Sequence, residues 1–215
     1  MSATAHGTAR VADFDGLQIE YDDRVLQPRP WTAEQSRWAA ELIRSAPPGP
    51  VLELCSGVGH IGLLAVSLAP RSLVCVDADA GACAYLRRNA AHAGIRVDVR
   101  EGLMDEVLDA DERFAVVIAD PPWVTSDDVG RYPEDPLLAI DGGPDGLDLV
   151  RACLEVIDDH LVEGGHALLQ TGPDQPDAVT ALVAAYDALT VREVRLQERG
   201  ALVRIDRAVG AGRTD

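Results

Sequence analysis

Val51-Leu52-Glu53-Leu54-Cys55-Ser56-Gly57-Val58-Gly59-His60-Ile61-Gly62 reads as a strand that breaks into a glycine turn and restarts as a helix. The apolar run Val51–Cys55 suits a strand buried on both faces, and Gly59–Leu68 carries the apolar density of a buried helix. Between them, Gly57, Gly59 and Gly62 form a G-x-G-x-x-G. Glycines at this spacing permit a tight turn, let a ligand approach the backbone and allow the helix to pack closely on the strand. The spacing alone does not choose among nucleotide-like ligands.

Outward from this unit the same alternation continues. Ser72–Val76 reads as the next strand and Ala80–His92 as the next helix, stopped by Gly94. Arg96–Arg100 and Ala115–Ala119 are two more strands; Asp145–His160 is a helix, Gly165–Thr171 a strand and Pro176–Ala188 a helix. Val191–Leu196 and Ala201–Asp206 close the pattern as a hairpin around Glu198–Gly200. Upstream, a helix starts at Thr32, with Thr32 as N-cap and Gln35 at the capping-box position, and Pro47-Pro48-Gly49-Pro50 ends it. Residues 16–31 suggest a short strand or hairpin. Strands separated by helices indicate a parallel sheet with helices on both faces, and the closing hairpin makes its last strands antiparallel. Residues 16–207 are expected to form one domain, residues 1–15 a flexible N-terminus and residues 208–215 a flexible tail. In such sheets ligands bind at the carboxyl ends of the strands.

Composition narrows the classes. With 36 acidic against 19 basic residues, the net charge of −17 disfavours a phosphate backbone as partner. No apolar run approaches the roughly 18–20 residues of a membrane span. The first ten residues lack the apolar core of a signal peptide, so a cytoplasmic protein is expected. Cys55, Cys75, Cys83 and Cys153 include no C-x-x-C pair and read as free thiols in a reducing compartment. No residue spacing indicates a metal site.

Asp77 closes the second strand about twenty residues beyond the glycine turn, where a carboxylate can accept both hydroxyls of a ribose. That much suits a nicotinamide cofactor equally. Glu53 separates the readings: S-adenosylmethionine has no pyrophosphate but carries an ammonium group that an acid near the loop can hold. The exit of the third strand, Gly102–Leu103, should lie against an adenine. The expected cofactor contacts are Glu53, Cys55, Ser56, Gly57, Gly59, Asp77, Ala78, Gly102, Leu103 and Asp120.

After the fourth strand comes Asp120-Pro121-Pro122-Trp123. Methyl transfer is an in-line displacement, so the accepting nitrogen must be aimed along the methyl–sulfur axis. A planar N–H2 group is a poor nucleophile, and needs hydrogen-bond acceptors to orient it and to stabilise developing positive charge. Asp120 and the carbonyl of Pro121 can supply them. Pro121 and Pro122 stiffen the corner, and Trp123 offers a flat face for a planar group. These four are the expected catalytic residues.

With these motifs in place the chain resembles the HemK/PrmC-type protein glutamine methyltransferases, class I enzymes with a Rossmann-like seven-stranded sheet. The likeness covers about residues 17–206. Val25-Leu26-Gln27-Pro28-Arg29-Pro30-Trp31-Thr32 is similar to that family's V-L-x-P-R-x-x-T. Glu134–Asp148 is similar to its E-P-x-x-A-L-x-G-G-x-D-G-L-D, and Gly172-Pro173-Asp174-Gln175 to its G-x-x-Q. The resemblance implies S-adenosylmethionine as cofactor and a protein glutamine amide as methyl acceptor. Two departures keep N-methylation of a small molecule or a nucleobase open. Asp120 and Trp123 stand where the family has N-P-P-Y, and residues before Gly16 leave no room for the helical N-terminal domain of the bacterial members. In relatives of the shorter architecture an accessory subunit assists. A non-catalytic module that binds S-adenosylmethionine is the reading of another class. The acidic stretch Ser126–Pro144 is expected to be a lid over the acceptor pocket, gated by Gly142–Gly143. His60 is expected as a helix-start residue beside the ligand.

Overall fold

A computed structural model describes residues 8–210. In chain order the strands and helices are β1 (Arg10–Phe14), β2 (Leu17–Tyr21), α1 (Ala33–Ser45), β3 (Val51–Leu54), α2 (His60–Leu68), β4 (Leu73–Asp77), α3 (Ala80–Ala93), β5 (Val97–Glu101), β6 (Phe114–Ala119), α4 (Leu137–Ile140), α5 (Asp148–His160), β7 (Leu161–Thr171), α6 (Pro176–Val183), β8 (Leu189–Gln197) and β9 (Gly200–Arg207). Seven strands form one sheet in the order β5-β4-β3-β6-β7-β9-β8. β3 pairs in parallel with both β4 and β6, whereas β9 runs antiparallel between β7 and β8. This is the seven-stranded α/β architecture of the class I methyltransferases, as expected.

Two apolar layers hold the sheet. Val51, Val116 and Ile118 turn toward α1, α2 and α3, packing against Trp38, Ile43, Leu63 and Leu86. Leu52, Leu54, Val117 and Ala119 turn the other way, onto Val150, Leu154 and Ile157 of α5 and Val179 and Val183 of α6. Every residue of β3 and β6 is buried, which is why both read as continuous apolar runs.

The chain leaves β3 toward one edge of the sheet and returns at β6 to build the other half. The switch point therefore lies between these two strands, with Leu54 level with Ala119. The turn after β3 and the corner after β6 start side by side.

Four local expectations change. Arg10–Phe14 pairs with Leu17–Tyr21 through a turn in which Asp15 and Gly16 both have positive φ, so ordered structure begins before Gly16. Its short, polar-rich strand gave no period, yet Phe14, Ile19 and Tyr21 are buried; residues 1–7 and 211–215 lie outside the described residues. Thr32 makes no side-chain cap to α1, and Gln35 does not close a capping box. The Gln35 side chain runs inward instead, donating to the carbonyls of Ala119 at 2.9 Å and Leu168 at 3.3 Å. β7 begins at Leu161 rather than Gly165, and α6 ends at Val183. No helix of the described residues is long and apolar enough to cross a membrane.

Candidate active site

The turn after β3 is shaped by backbone requirements first. Gly57 and Gly59 have φ of +52° and +82°. A Cβ on Gly59 would meet Leu86 Cγ at 2.6 Å, so this glycine serves the packing of α2 on α3. The carboxylate of Asp77 secures the turn from the next strand: one oxygen accepts Gly57 N–H at 2.6 Å and the other Asp79 N–H at 2.8 Å. Each oxygen keeps a further lone pair for a ligand.

A cavity of about 580 Å³ opens over this turn. It is lined by Cys55, Ser56, Gly57, Asp77, Ala78, Gly102, Leu103 and Asp120 of the expected cofactor contacts. Glu53 and Gly59 do not line it. Glu53 is 2% exposed and points beneath the loop, accepting Gly62 N–H at 2.9 Å and the Cys75 thiol at 3.2 Å. A Cβ on Gly62 would lie 2.8 Å from the Glu53 carboxyl carbon. Glu53 thus braces the start of α2 from below, and the role expected of it toward an ammonium group is not what its position offers. Val25, Leu26 and Met104 join the wall without having been anticipated as contacts.

A second cavity, of about 700 Å³, opens beside the first. Asp120, Pro121, Pro122 and Trp123 all line it, as do Arg29, Trp31 and Thr32 from the V-L-x-P-R-x-x-T segment. Leu26, His60, Asp120, Pro122 and Ala139 belong to both cavities. Asp120 therefore stands at their junction, and the rigid proline corner meets the glycine turn there.

The corner is held from several sides. Gln35 fixes the carbonyl of Ala119, directly before Asp120. Gln175 donates to the carbonyls of Trp123 and Gly146, both at 3.1 Å, while its own carbonyl accepts Gly172 N–H at 2.8 Å. This is what the G-x-x-Q segment does here: it pins the acceptor corner to the end of β7.

The acidic stretch is anchored differently from expectation. Val124 N–H donates to Ile140 O, Gly142 N–H to Val124 O and Ser126 N–H to Gly143 O. Gly142 and Gly143 are therefore stitched to the proline corner and do not form a free hinge. Arg29 reaches across to both carboxylate oxygens of Asp135 at 2.6 Å. Among the described residues no group of three or more His, Cys, Asp or Glu is arranged to hold a metal ion.

Electrostatically the junction is unusual. Burial raises the Asp120 carboxyl from 3.8 to about 7, and raises Glu53 from 4.5 to about 7 despite its hydrogen bonds. Asp77 is raised by burial as well. Burial lowers His60 to about 4, keeping its imidazole neutral. The Ser56 hydroxyl is buried on the cavity wall without a hydrogen-bond partner. A cavity walled by acids whose charge is disfavoured calls for a cationic ligand.

Comparison with known proteins agrees with this geometry. The family described as Conserved hypothetical protein 95 matches residues 29–133. A release factor glutamine methyltransferase of Geobacter sulfurreducens is 34% identical over 177 residues, covering 79% of this chain and 61% of that protein. A ribosomal protein uL3 glutamine methyltransferase of Bradyrhizobium diazoefficiens is 33% identical, covering 73% of this chain and 54% of that protein. The chain belongs with the HemK/PrmC-type methyltransferases. It spans about three-fifths of the length of the first of these relatives and about half of the second. Among solved structures, the 16S rRNA N2 G1207 methyltransferase of T. thermophilus, in complex with AdoMet and guanosine, superposes with a TM-score of 0.68. At 17% or less in identity (16%), covering 97% of this chain and 52% of that one, it bears on the fold alone.

Proposed function

We propose that this HemK/PrmC-type chain is an S-adenosylmethionine-dependent N-methyltransferase whose acceptor is the side-chain amide of a protein glutamine. The observation that carries the reading is the place of Asp120, at the junction between a cofactor-sized cavity and a second cavity lined by the proline corner.

The residues fit the cofactor. Asp77 offers free lone pairs to a ribose, and the unpartnered Ser56 hydroxyl and the positive-φ Gly57 backbone face the same space. Asp77 and Asp120 supply negative potential that a ligand bearing sulfonium and ammonium charges neutralises, whereas a pyrophosphate would add repulsion. Bound there, S-adenosylmethionine supplies an electrophilic methyl group. Everything else is work for the chain. Asp120 accepts an N–H of the amide and the Pro121 carbonyl faces the second, drawing the nitrogen out of conjugation and toward the junction. As the nitrogen–carbon bond forms and the carbon–sulfur bond breaks, the nitrogen becomes acidic, and the Asp120 carboxylate takes its proton. Trp123 stacks on the planar group, and the buried prolines keep water from the corner.

A second reading is favoured by one feature, the carboxylate at position 120 where the relatives' motif has an amide. A carboxylate holds an exocyclic amine at least as well, which keeps a small heteroaromatic amine in play. Both are tested by incubating the protein with methyl-labelled S-adenosylmethionine and either a glutamine peptide or free nucleosides. Label in the side-chain amide supports the first reading, and label only in nucleosides overturns it in favour of the second. Absence of label from both, with cofactor bound, overturns catalysis.

A further inference from the structure

We propose that His60 is the second hydrogen-bond acceptor for the methyl-accepting nitrogen, its Nδ1 lone pair working beside Asp120. The inference rests on the N-methyltransferase reading and assigns it a residue that the motif does not contain.

His60 opens α2 and is 9% exposed, its ring edge-on to Phe14 with centroids 4.8 Å apart. Its Nε2 lies 3.3 Å from the Thr32 hydroxyl. That hydroxyl spends its hydrogen on the carbonyl of Arg29, at 2.8 Å, and so can only accept from the ring. The tautomer follows: Nε2 carries the hydrogen and Nδ1 carries a lone pair. Nδ1 is buried and has no hydrogen-bond partner. An unpaired buried acceptor costs free energy until a donor reaches it.

The direction of that donor is indicated by the neighbours. Thr32, Arg29 and Asp135, the chain of residues that fixes the ring, line the second cavity and not the first. His60 and Asp120 line both. A neutral imidazole with its hydrogen turned toward Thr32 cannot donate to a carboxylate, so it demands an N–H or O–H from the ligand. A primary amide or amine brings two N–H groups, one for Asp120 and one for His60, and this pairing admits –NH2 and disfavours a nitrogen that already carries a methyl. One consequence is a stop after a single methylation, because the product has lost one of its two donors.

Two substitutions divide the ring by function. His60→Asn places a side-chain oxygen near the position of Nδ1, and His60→Gln places an amide near Nε2. With the glutamine peptide, H60N should stay within about threefold of wild-type kcat/KM and H60Q should lose tenfold or more. Stabilisation by S-adenosylhomocysteine should be unchanged in both. Equal loss in the two variants, equal retention, or the reverse order overturns the proposal. Loss of S-adenosylhomocysteine stabilisation in both also overturns it, by assigning the lone pair to the cofactor's ammonium group. A second measurement needs neither variant nor turnover: the Nδ1 nitrogen resonance of wild-type His60, in the S-adenosylhomocysteine complex, should move upfield on adding acetamide. An unmoved resonance overturns the assignment. A wild-type enzyme that labels no glutamine bears on the acceptor, whereas the acetamide titration reads His60 itself.

Discussion

Replacing Asp120 by asparagine should make the ligand-free protein more stable while it removes activity, and the gain should depend on pH. The wild-type carboxyl is held near 7 in the folded chain against 3.8 as its ordinary value. About three units at 1.36 kcal/mol each is roughly 4 kcal/mol of differential cost. Asp120 is half-buried at the meeting of two cavities, where water screens it, so about 2 kcal/mol is the working figure. The folded value lies above the unfolded one, so its stability contribution is intact below about pH 4 and is lost as pH rises through about 7. Wild type therefore carries the full cost at pH 8 and only the first part of it at pH 5, whereas D120N carries none. The advantage of the variant should grow by about 1.4 kcal/mol between pH 5 and pH 8, or roughly 3–6 °C in Tm for a domain of this size. Paired thermal melts without cofactor at the two pH values read this directly. In the same preparation kcat/KM for the acceptor should fall by about 10²–10³, the usual loss when one group stabilising transition-state charge is removed. A Tm difference that is the same at both pH values, or full turnover by D120N, would refute the reasoning.

Other outcomes follow from the same geometry. The wild-type kcat/KM should drop about tenfold per unit as pH falls below about 7, because protonated Asp120 no longer accepts the amide N–H; a pH–rate profile checks it. Glu53→Gln should stabilise the ligand-free protein at pH 8 by up to about 3 kcal/mol, with S-adenosylhomocysteine affinity unchanged, since Glu53 is buried yet outside the cavity. Isothermal titration and melts separate the two effects. Gln35→Leu should cost about 1–3 kcal/mol in denaturant unfolding and lower kcat more than it raises KM, because the carbonyl preceding Asp120 loses its donor. Trp123→Ala should raise KM for the acceptor about three- to tenfold, with S-adenosylhomocysteine stabilisation intact, since Trp123 lines only the second cavity.

Much of this was legible in the chain because burial on both faces leaves a mark. β3 and β6 are apolar throughout, so their place at the centre of the sheet could be read, and with it the adjacency of the glycine turn and the proline corner. The β1 strand was not legible, because half its residues face solvent and five residues give period two little room. Glu53 was misplaced for a geometric reason: side chains alternate along a strand, and Glu53 faces α2 while its neighbours Leu52 and Leu54 face α5. Gln35 was read locally, as a cap, whereas its partners lie 84 and 133 residues away. Nothing in a one-dimensional pattern reports such distances. The same holds for His60, whose importance comes from Thr32, a neighbour only in space.

The stitching of Val124 to Ile140 and of Ser126 to Gly143 has a consequence for how such proteins change. The segment between these stitches leaves and rejoins the scaffold at one place, so its span can lengthen or shorten at little entropic cost while the Asp120 corner keeps its position. Asp128, Arg131 and Glu134, which line the second cavity, ride on that segment. New acceptors can accordingly be explored by exchanging a cassette of surface residues, with the methyl-transfer apparatus inherited unaltered beneath it.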